Sequence, residues 1–151
     1  MKLSHVNDAG KAQMVDISGK PPLHREAVAG GKIILAAGTL ELIKQNMLQK
    51  GDVLAVARVA AIQGGKKASE LIPLCHPLSL HHLDVQFRIA ADGIEITARA
   101  VSQGRTGIEM EALTAVSIAA LTIYDMCKAV DKKMIIGAIA LLEKSKREIQ
   151  G

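Results

Sequence analysis

The chain has 151 residues, 49% of them apolar and 1% aromatic, with 19 basic and 15 acidic residues and a formal net charge of +4. This length suits one domain, which can bury roughly 70% of its extended-chain surface, and with Phe87 and Tyr124 as its only rings the core must be aliphatic. Stacking of RNA bases on aromatic side chains is disfavoured, and the mild positive balance suits a small anion rather than nucleic acid.

Residues 1–22 are polar, carry Gly10, Gly19 and Pro21-Pro22, lack the apolar core of a signal peptide, and read as an irregular N-terminal arm. Residues 24–36, with Ala27, Val28, Ile33, Ile34 and Leu35, read as a strand interrupted by a bulge at Gly30-Gly31. Thr39 is placed to cap a helix in which Leu40, Ile43 and Met47 recur at helical spacing. Gly51 ends that helix and Asp52 caps the next, which carries Val53, Val56, Ala57 and Ala60 and weakens at Gly64-Gly65. Pro73 and Pro77 bracket a loop holding Leu74, Cys75 and His76. Val85, Phe87 and Ile89, then Ile94, Ile96, Ala98 and Ala100, alternate with polar residues on either side of Asp92-Gly93, a pair favoured in hairpin turns. A long helix is expected at about 109–129 and a last strand at about 133–143, with Met134, Ile136, Ala138 and Leu142 on one face and Ile135, Ile139 and Leu141 on the other. Within the helix, Ala112–Tyr124 is the longest strongly apolar run without charge; its 13 residues are too few to span a bilayer. Cys75 and Cys127 form neither a CxxC pair nor a disulfide framework, so a reducing, cytoplasmic setting without membrane partners is expected.

Strand, helices, two strands, helix, strand is the ferredoxin-like order: α+β, βαββαβ, a four-stranded antiparallel sheet with helices on one face and an enlarged first crossover. It assigns residues 23–145 to one domain and 146–151 to a C-terminal tail. The last strand is apolar on both faces, so its second face is expected to meet another chain, making a homo-oligomer.

Stepping by three and four from Glu111 gives Thr114, Ile118, Leu121, Asp125 and Lys128, one stripe of the long helix. A charge that continues an apolar stripe must be paired or face a cavity; a surface ion pair near a helix C-terminus is the plain alternative. Glu109, Met110 and Glu111 open the helix, where acids are favoured by the helix dipole; alternatively they meet a ligand. Glu111 and Asp125 stand 14 residues apart, roughly 21 Å along one helix. They therefore grip distant parts of a ligand, or a neighbouring subunit completes the pocket, which is the reading preferred here. Cys75 and His76, with His81 and His82 nearby, match no structural zinc spacing, so no metal is expected. There is no Walker motif, so phosphate must be held by side chains, drawn from the dispersed Arg25, Lys50, Lys66, Lys67 and Lys144.

Two long segments, KGDVLAVARVAAIQGGKKASELIPLCHPL at 50–78 and TGIEMEALTAVSIAALTIYDMCKA at 106–129, resemble the cyclic pyranopterin monophosphate synthase family, also called molybdenum cofactor biosynthesis protein C. The likeness runs from about His5 to Lys144. It implies conversion of 3′,8-cyclo-7,8-dihydro-GTP to cyclic pyranopterin monophosphate with release of pyrophosphate, by a hexamer built from three dimers. The resemblance makes Asp125 the central catalytic residue, with Lys128 beside it and Lys50 in acid–base steps. It makes Leu74, Cys75 and His76 substrate contacts, with His76 a proton donor or phosphate ligand, and places Glu109, Met110 and Glu111 at the substrate and Arg25, Lys67 and Lys144 on its phosphate side. No organic cofactor is implied; Mg2+ accompanying the triphosphate stays open. After Lys144-Ser145 the chain departs from the family's glycine-containing tail, reading Lys146-Arg-Glu-Ile-Gln-Gly151. Two other readings stay open: a non-catalytic nucleotide-binding oligomer, and a metal-dependent hydrolase using His76, His81 and His82.

Overall fold

Alternating small and branched side chains build the sheet on which everything else rests. In the computed structural model, which describes residues 4–150, the elements run β1 (Leu23–Ile34), α1 (Ala37–Lys44), α2 (Val53–Lys66), α3 (Ala68–Leu71), β2 (Leu80–Ile89), β3 (Gly93–Gly104), α4 (Glu109–Cys127) and β4 (Ile135–Arg147). The strands lie in the order β2-β3-β1-β4, every neighbouring pair antiparallel. β1 and β2 therefore run parallel with β3 between them, the split crossover expected of the ferredoxin-like class.

The core is a layer of aliphatic side chains under α4. Ala27, Ala29 and Ile33 of β1, Ile94, Ile96, Ala98 and Ala100 of β3 and Val85 of β2 are at most 1% exposed, and Ala112, Ala115, Val116, Ala119, Ala120 and Ile123 of α4 are fully buried against them. By length and composition α4 passes for a membrane-crossing helix, which the 13-residue reading did not foresee, yet half of its most apolar stretch is buried inside the fold; it is the central core helix.

α2 packs against α4 at two glycines. A Cβ on Gly64 would lie 2.6 Å from Ile118 Cγ1; one on Gly65 would lie 2.5 Å from Leu83 Cδ2 and 3.1 Å from the Glu111 carbonyl oxygen. The expected weakening at Gly64-Gly65 does not occur: the helix continues to Lys66, because packing outweighs a propensity cost of about 1 kcal/mol per glycine.

Several local expectations are corrected. Thr39 does not cap α1: the cap position is Ala36, with no side-chain cap of its own. The acceptor comes instead from Asp131 beyond α4, whose Oδ2 accepts from Ala36 N–H at 2.8 Å and from Thr39 Oγ at 3.2 Å. α1 stops at Lys44, not at Gly51, and Asn46 takes the left-handed conformation (φ 53°). Gly51 (φ 89°) turns the chain into α2, and Asp52 caps that helix as expected, accepting from Ala55 N–H at 3.0 Å. The β2–β3 turn closes with Ala90 N–H donating to Gly93 O at 2.8 Å, so Ala91-Asp92 form the tip and Gly93 already belongs to β3. Glycine is required there because a Cβ would run into the Ile33 carbonyl.

β4 departs most from its reading. Its pairing with β1 slips at Val28/Ala29 and at Gly30/Lys32, with the extra residues in β4 and Ala138 at φ 52°, whereas β1 itself runs through Gly30-Gly31 in unbroken register with β3 and is not interrupted there as expected. These slips break the two-residue alternation, so Ile136 (opposite Ile33) and Leu141 (opposite Ala29) share a face instead of opposing one another. The strand also reaches Arg147, so Lys146 and Arg147, read as tail, pair with Arg25 and His24.

Gly65→Ala should lower stability by about 1 kcal/mol despite alanine's helix preference, because an overpacked contact costs about 1–3 kcal/mol; an unchanged or higher urea midpoint would show that α2 and α4 can part there. Asp131 is buried, and the Ala36 N–H, ahead of Lys133 N–H and Thr39, holds its carboxyl below the usual range despite burial. A depressed folded-state pKa stabilises above the unfolded value and is lost as pH falls through the folded one. Asp131→Ala should therefore cost about 1–2 kcal/mol at neutral pH, a deficit that narrows in melts taken below about pH 4.

Candidate active site

Two hollows meet at the N-terminal end of α4. One, about 410 Å³, is lined by Lys20, Pro21, Leu23, Arg25, Arg105, Thr106, Gly107, Glu109, Lys144 and Lys146. The other, about 440 Å³, is lined by His5, Ile72, Leu74, Cys75, His76, Thr106, Gly107, Glu109 and Met110. Thr106, Gly107 and Glu109 form their common wall.

Sheet register explains the cationic hollow. Arg25 stands opposite Lys146, and Ala27 opposite Lys144, so these three cations continue the helix-side row of the sheet past the start of α4. The Arg25 guanidinium donates to the Gly104 carbonyl at 2.9 Å and to the Arg105 carbonyl at 3.4 Å, fixing the loop into α4. Lys144 pairs with Glu109. Gly107 leaves room for that carboxylate, which a Cβ would strike. Burial pushes the Glu109 carboxyl up, but hydrogen bonds from Lys144 and its own N–H, with the charges of Lys144 and Arg25, leave it below the usual range.

The second hollow is apolar with sulfur and imidazole on its wall. His76 Nε2 lies 2.7 Å from the Val15 carbonyl; a carbonyl only accepts, so this nitrogen carries a proton. This contact ties the arm to the site at Val15. The Cys75 thiol is pushed up by burial, then by the charges of Glu111 and Glu109, which keeps it protonated. Glu111 is 4% exposed and its Oε2 has no hydrogen-bond partner among the described residues. Burial raises its pKa, opposed by its own N–H and reinforced by Glu109. It lies behind the wall rather than lining either hollow.

Asp125 stands at the other end of α4, about 24 Å from Glu109 along the axis. Lys50 Nζ donates to Asp125 Oδ2 and to its backbone oxygen, both at 2.9 Å, and Lys128 Nζ donates to Oδ1 at 2.6 Å. Lys128 first and Lys50 second hold the Asp125 carboxyl down to about 2, and Asp125 in turn raises Lys128. The three predicted catalytic groups are thus brought together, but the expectation that the stripe shelters them fails in the single chain: the Asp125 side chain is 56% exposed. The stripe leaves the core beyond Ile118, with Leu121 already 55% exposed. Periodicity marks a face of a helix, not what covers it.

Lys67 caps the end of α2 and lines neither hollow. Lys20, Arg105 and Lys146 do, and were not singled out as site residues; the run Gly104-Arg-Thr-Gly107 directly before the helix was the available signal. His81 and His82 lie with Lys66 at a separate hollow, away from His76, and among the described residues no three His, Cys, Asp or Glu side chains gather as a metal site would need.

Fold and site together define an α+β protein whose paired hollows suit a small ligand with an anionic end and a flatter, less charged body. The sequence model of the MoaC family matches residues 14–147, and the chain belongs to that family. It is 56% identical over 142 residues to a cyclic pyranopterin monophosphate synthase of Novosphingobium aromaticivorans, covering 94% of this chain and 90% of that protein. It is 57% identical over 145 residues to one from Chloroflexus aurantiacus, with 95% and 89% covered. A molybdenum cofactor biosynthesis bifunctional protein of Chlorobaculum tepidum is 51% identical over 145 residues, 96% of this chain and 46% of that longer protein.

Carbon-detected NMR should find Asp125 titrating near 2, and Lys128→Ala should move it up toward the ordinary value of about 3.9; a wild-type value near 4 would mean the two lysines do not hold the carboxylate in solution.

Proposed function

We propose that this chain is an enzyme of molybdenum cofactor biosynthesis, a lyase that converts 3′,8-cyclo-7,8-dihydro-GTP into cyclic pyranopterin monophosphate and releases pyrophosphate. The observation that carries the reading is the junction at Thr106–Glu109. There a cationic hollow sized for phosphates opens beside one lined by Leu74, Cys75, His76 and Met110, in a chain more than half identical to relatives bearing that enzyme's name.

In this reading Arg25, Lys144 and their neighbours draw in the triphosphate. Glu109, on the common wall, meets the N–H groups of the base with Glu111 buried behind it, and the His76 Nε2–H donates to an oxygen. Rebuilding a purine as a pyranopterin needs several proton transfers, each worth roughly 10²–10⁴-fold in rate. Asp125 with a pKa of about 2 is a feeble base while exposed; desolvation on assembly would raise it. The Asp125–Lys50–Lys128 cluster therefore comes from a neighbouring subunit, which closes over the hollows and excludes water. Lysines and arginines of the cationic hollow neutralise the phosphates, with or without accompanying magnesium.

Two separate apolar surfaces support a closed assembly. Val56 and Val59 of α2 and Leu121 of α4 are exposed on the helix layer, and Ile34, Ile135 and Leu142 on the opposite face of the sheet. A trimer of dimers needs two kinds of contact, and these surfaces supply two. The protein works in the cytoplasm as a homohexamer.

Purified protein given the cyclised GTP intermediate should form cyclic pterin and pyrophosphate, and Asp125→Ala should lower the rate at least 10²-fold; nucleotide binding without turnover would replace the catalytic reading with that of a nucleotide sensor. Light scattering at micromolar concentration should return a hexamer's mass. Inactive Glu111→Ala and Asp125→Ala chains, once mixed into verified hybrid oligomers, should regain activity, and no recovery would place each complete site within one chain.

A further inference from the structure

Of the five cations lining the 410 Å³ hollow, Lys144 alone has a carboxylate partner among the described residues. Arg25 gives its N–H groups to the Gly104 and Arg105 carbonyls and so shapes the loop that presents Arg105. Arg105 is exposed, and one of its guanidinium nitrogens donates to the backbone oxygen of Ser18. A neutral carbonyl satisfies one of five guanidinium N–H groups and leaves the charge uncompensated. Ser18 belongs to the arm, which is tied a second time through Val15 O and His76 Nε2 at 2.7 Å. At both ties a backbone oxygen of the arm sits on a donor that faces a hollow. A phosphate oxygen is the stronger acceptor for either, and guanidinium takes phosphate in a two-pronged grip that a single carbonyl cannot reproduce.

We infer that Arg105 is a phosphate-binding residue, and that its bond to the Ser18 carbonyl is the resting arrangement, exchanged for phosphate oxygens when a polyphosphate enters. The arm is then a strap that the ligand's own charge displaces. The inference rests on the proposed function for what carries the phosphates, but not for its test.

Calorimetry with inorganic tripolyphosphate on the full chain should show binding that weakens at least tenfold in Arg105→Ala and by a smaller factor in Arg105→Lys, which keeps the charge but not the fork. Arg88→Ala, the same loss of charge on β2 beside Glu95, should stay within twofold of wild type. Amide hydrogen exchange across residues 15–20 should quicken when tripolyphosphate saturates the wild type. A role confined to holding the arm would instead quicken that exchange in Arg105→Ala and leave its affinity unchanged, overturning the inference, as would a wild type that does not bind tripolyphosphate. Turnover of the cyclised GTP intermediate is scored separately: product formation with Arg105→Ala binding unimpaired sinks this inference alone, and Arg105-dependent binding without product sinks only the proposed reaction.

Discussion

The close approach of α4 to the sheet beneath it and to α2 beside it is the constraint on which the rest depends. Six fully buried α4 residues, four of them alanine, and two α2 glycines with no space for a Cβ set that distance. A helix so seated cannot slide or roll without opening voids or clashes, both costly in a close-packed interior. Its ends are therefore fixed points. One places Glu109 and Met110 on the walls of the hollows; the other carries Asp125 to Lys50 in the turn before α2.

The two ends differ in electrostatic state. At the start of α4 carboxylates are partly buried and cations outnumber them, so the site attracts an anion. At the far end a carboxylate lies between two ammonium groups in open water, neutralised and strongly acidic. The hollows have the cationic and apolar binding groups, and the Asp125 cluster stands apart from both of them. Rigid α4 holds them about 24 Å apart, so they can meet on one ligand only if two chains do.

The arm joins the binding end to the irregular part of the chain. Its carbonyls satisfy donors on His76 and Arg105 that would otherwise face solvent. Such backbone contacts hold a segment without burying much apolar area, which suits a piece of chain that must give way.

Element order, the hairpin and the Asp52 cap were legible because each rests on local chemistry: alternation, helical spacing, an acceptor at a helix start. The joining of Asp125 to Lys128 was legible for the same reason, being one turn of helix. Capping of α1 by Asp131 was not, since the acceptor lies 95 positions from the donor it serves. Nor was the facing of β4, where two slips in pairing undo the parity a strand is read by. The glycines of α2 looked like weakness because propensity is counted along one helix, whereas the space they leave is used by another.

By itself the sequence determined the fold class, the long core helix and, through two extended segments, the family. Only tertiary structure decided which charges share a space. Arg25, Lys144 and Lys146 converge with Arg105 because strand register aligns positions more than a hundred residues apart, and register follows from pairing across the sheet, which no local pattern encodes. It likewise decided that Asp125 stands in water, for burial depends on what packs over a face and not on the face's own periodicity.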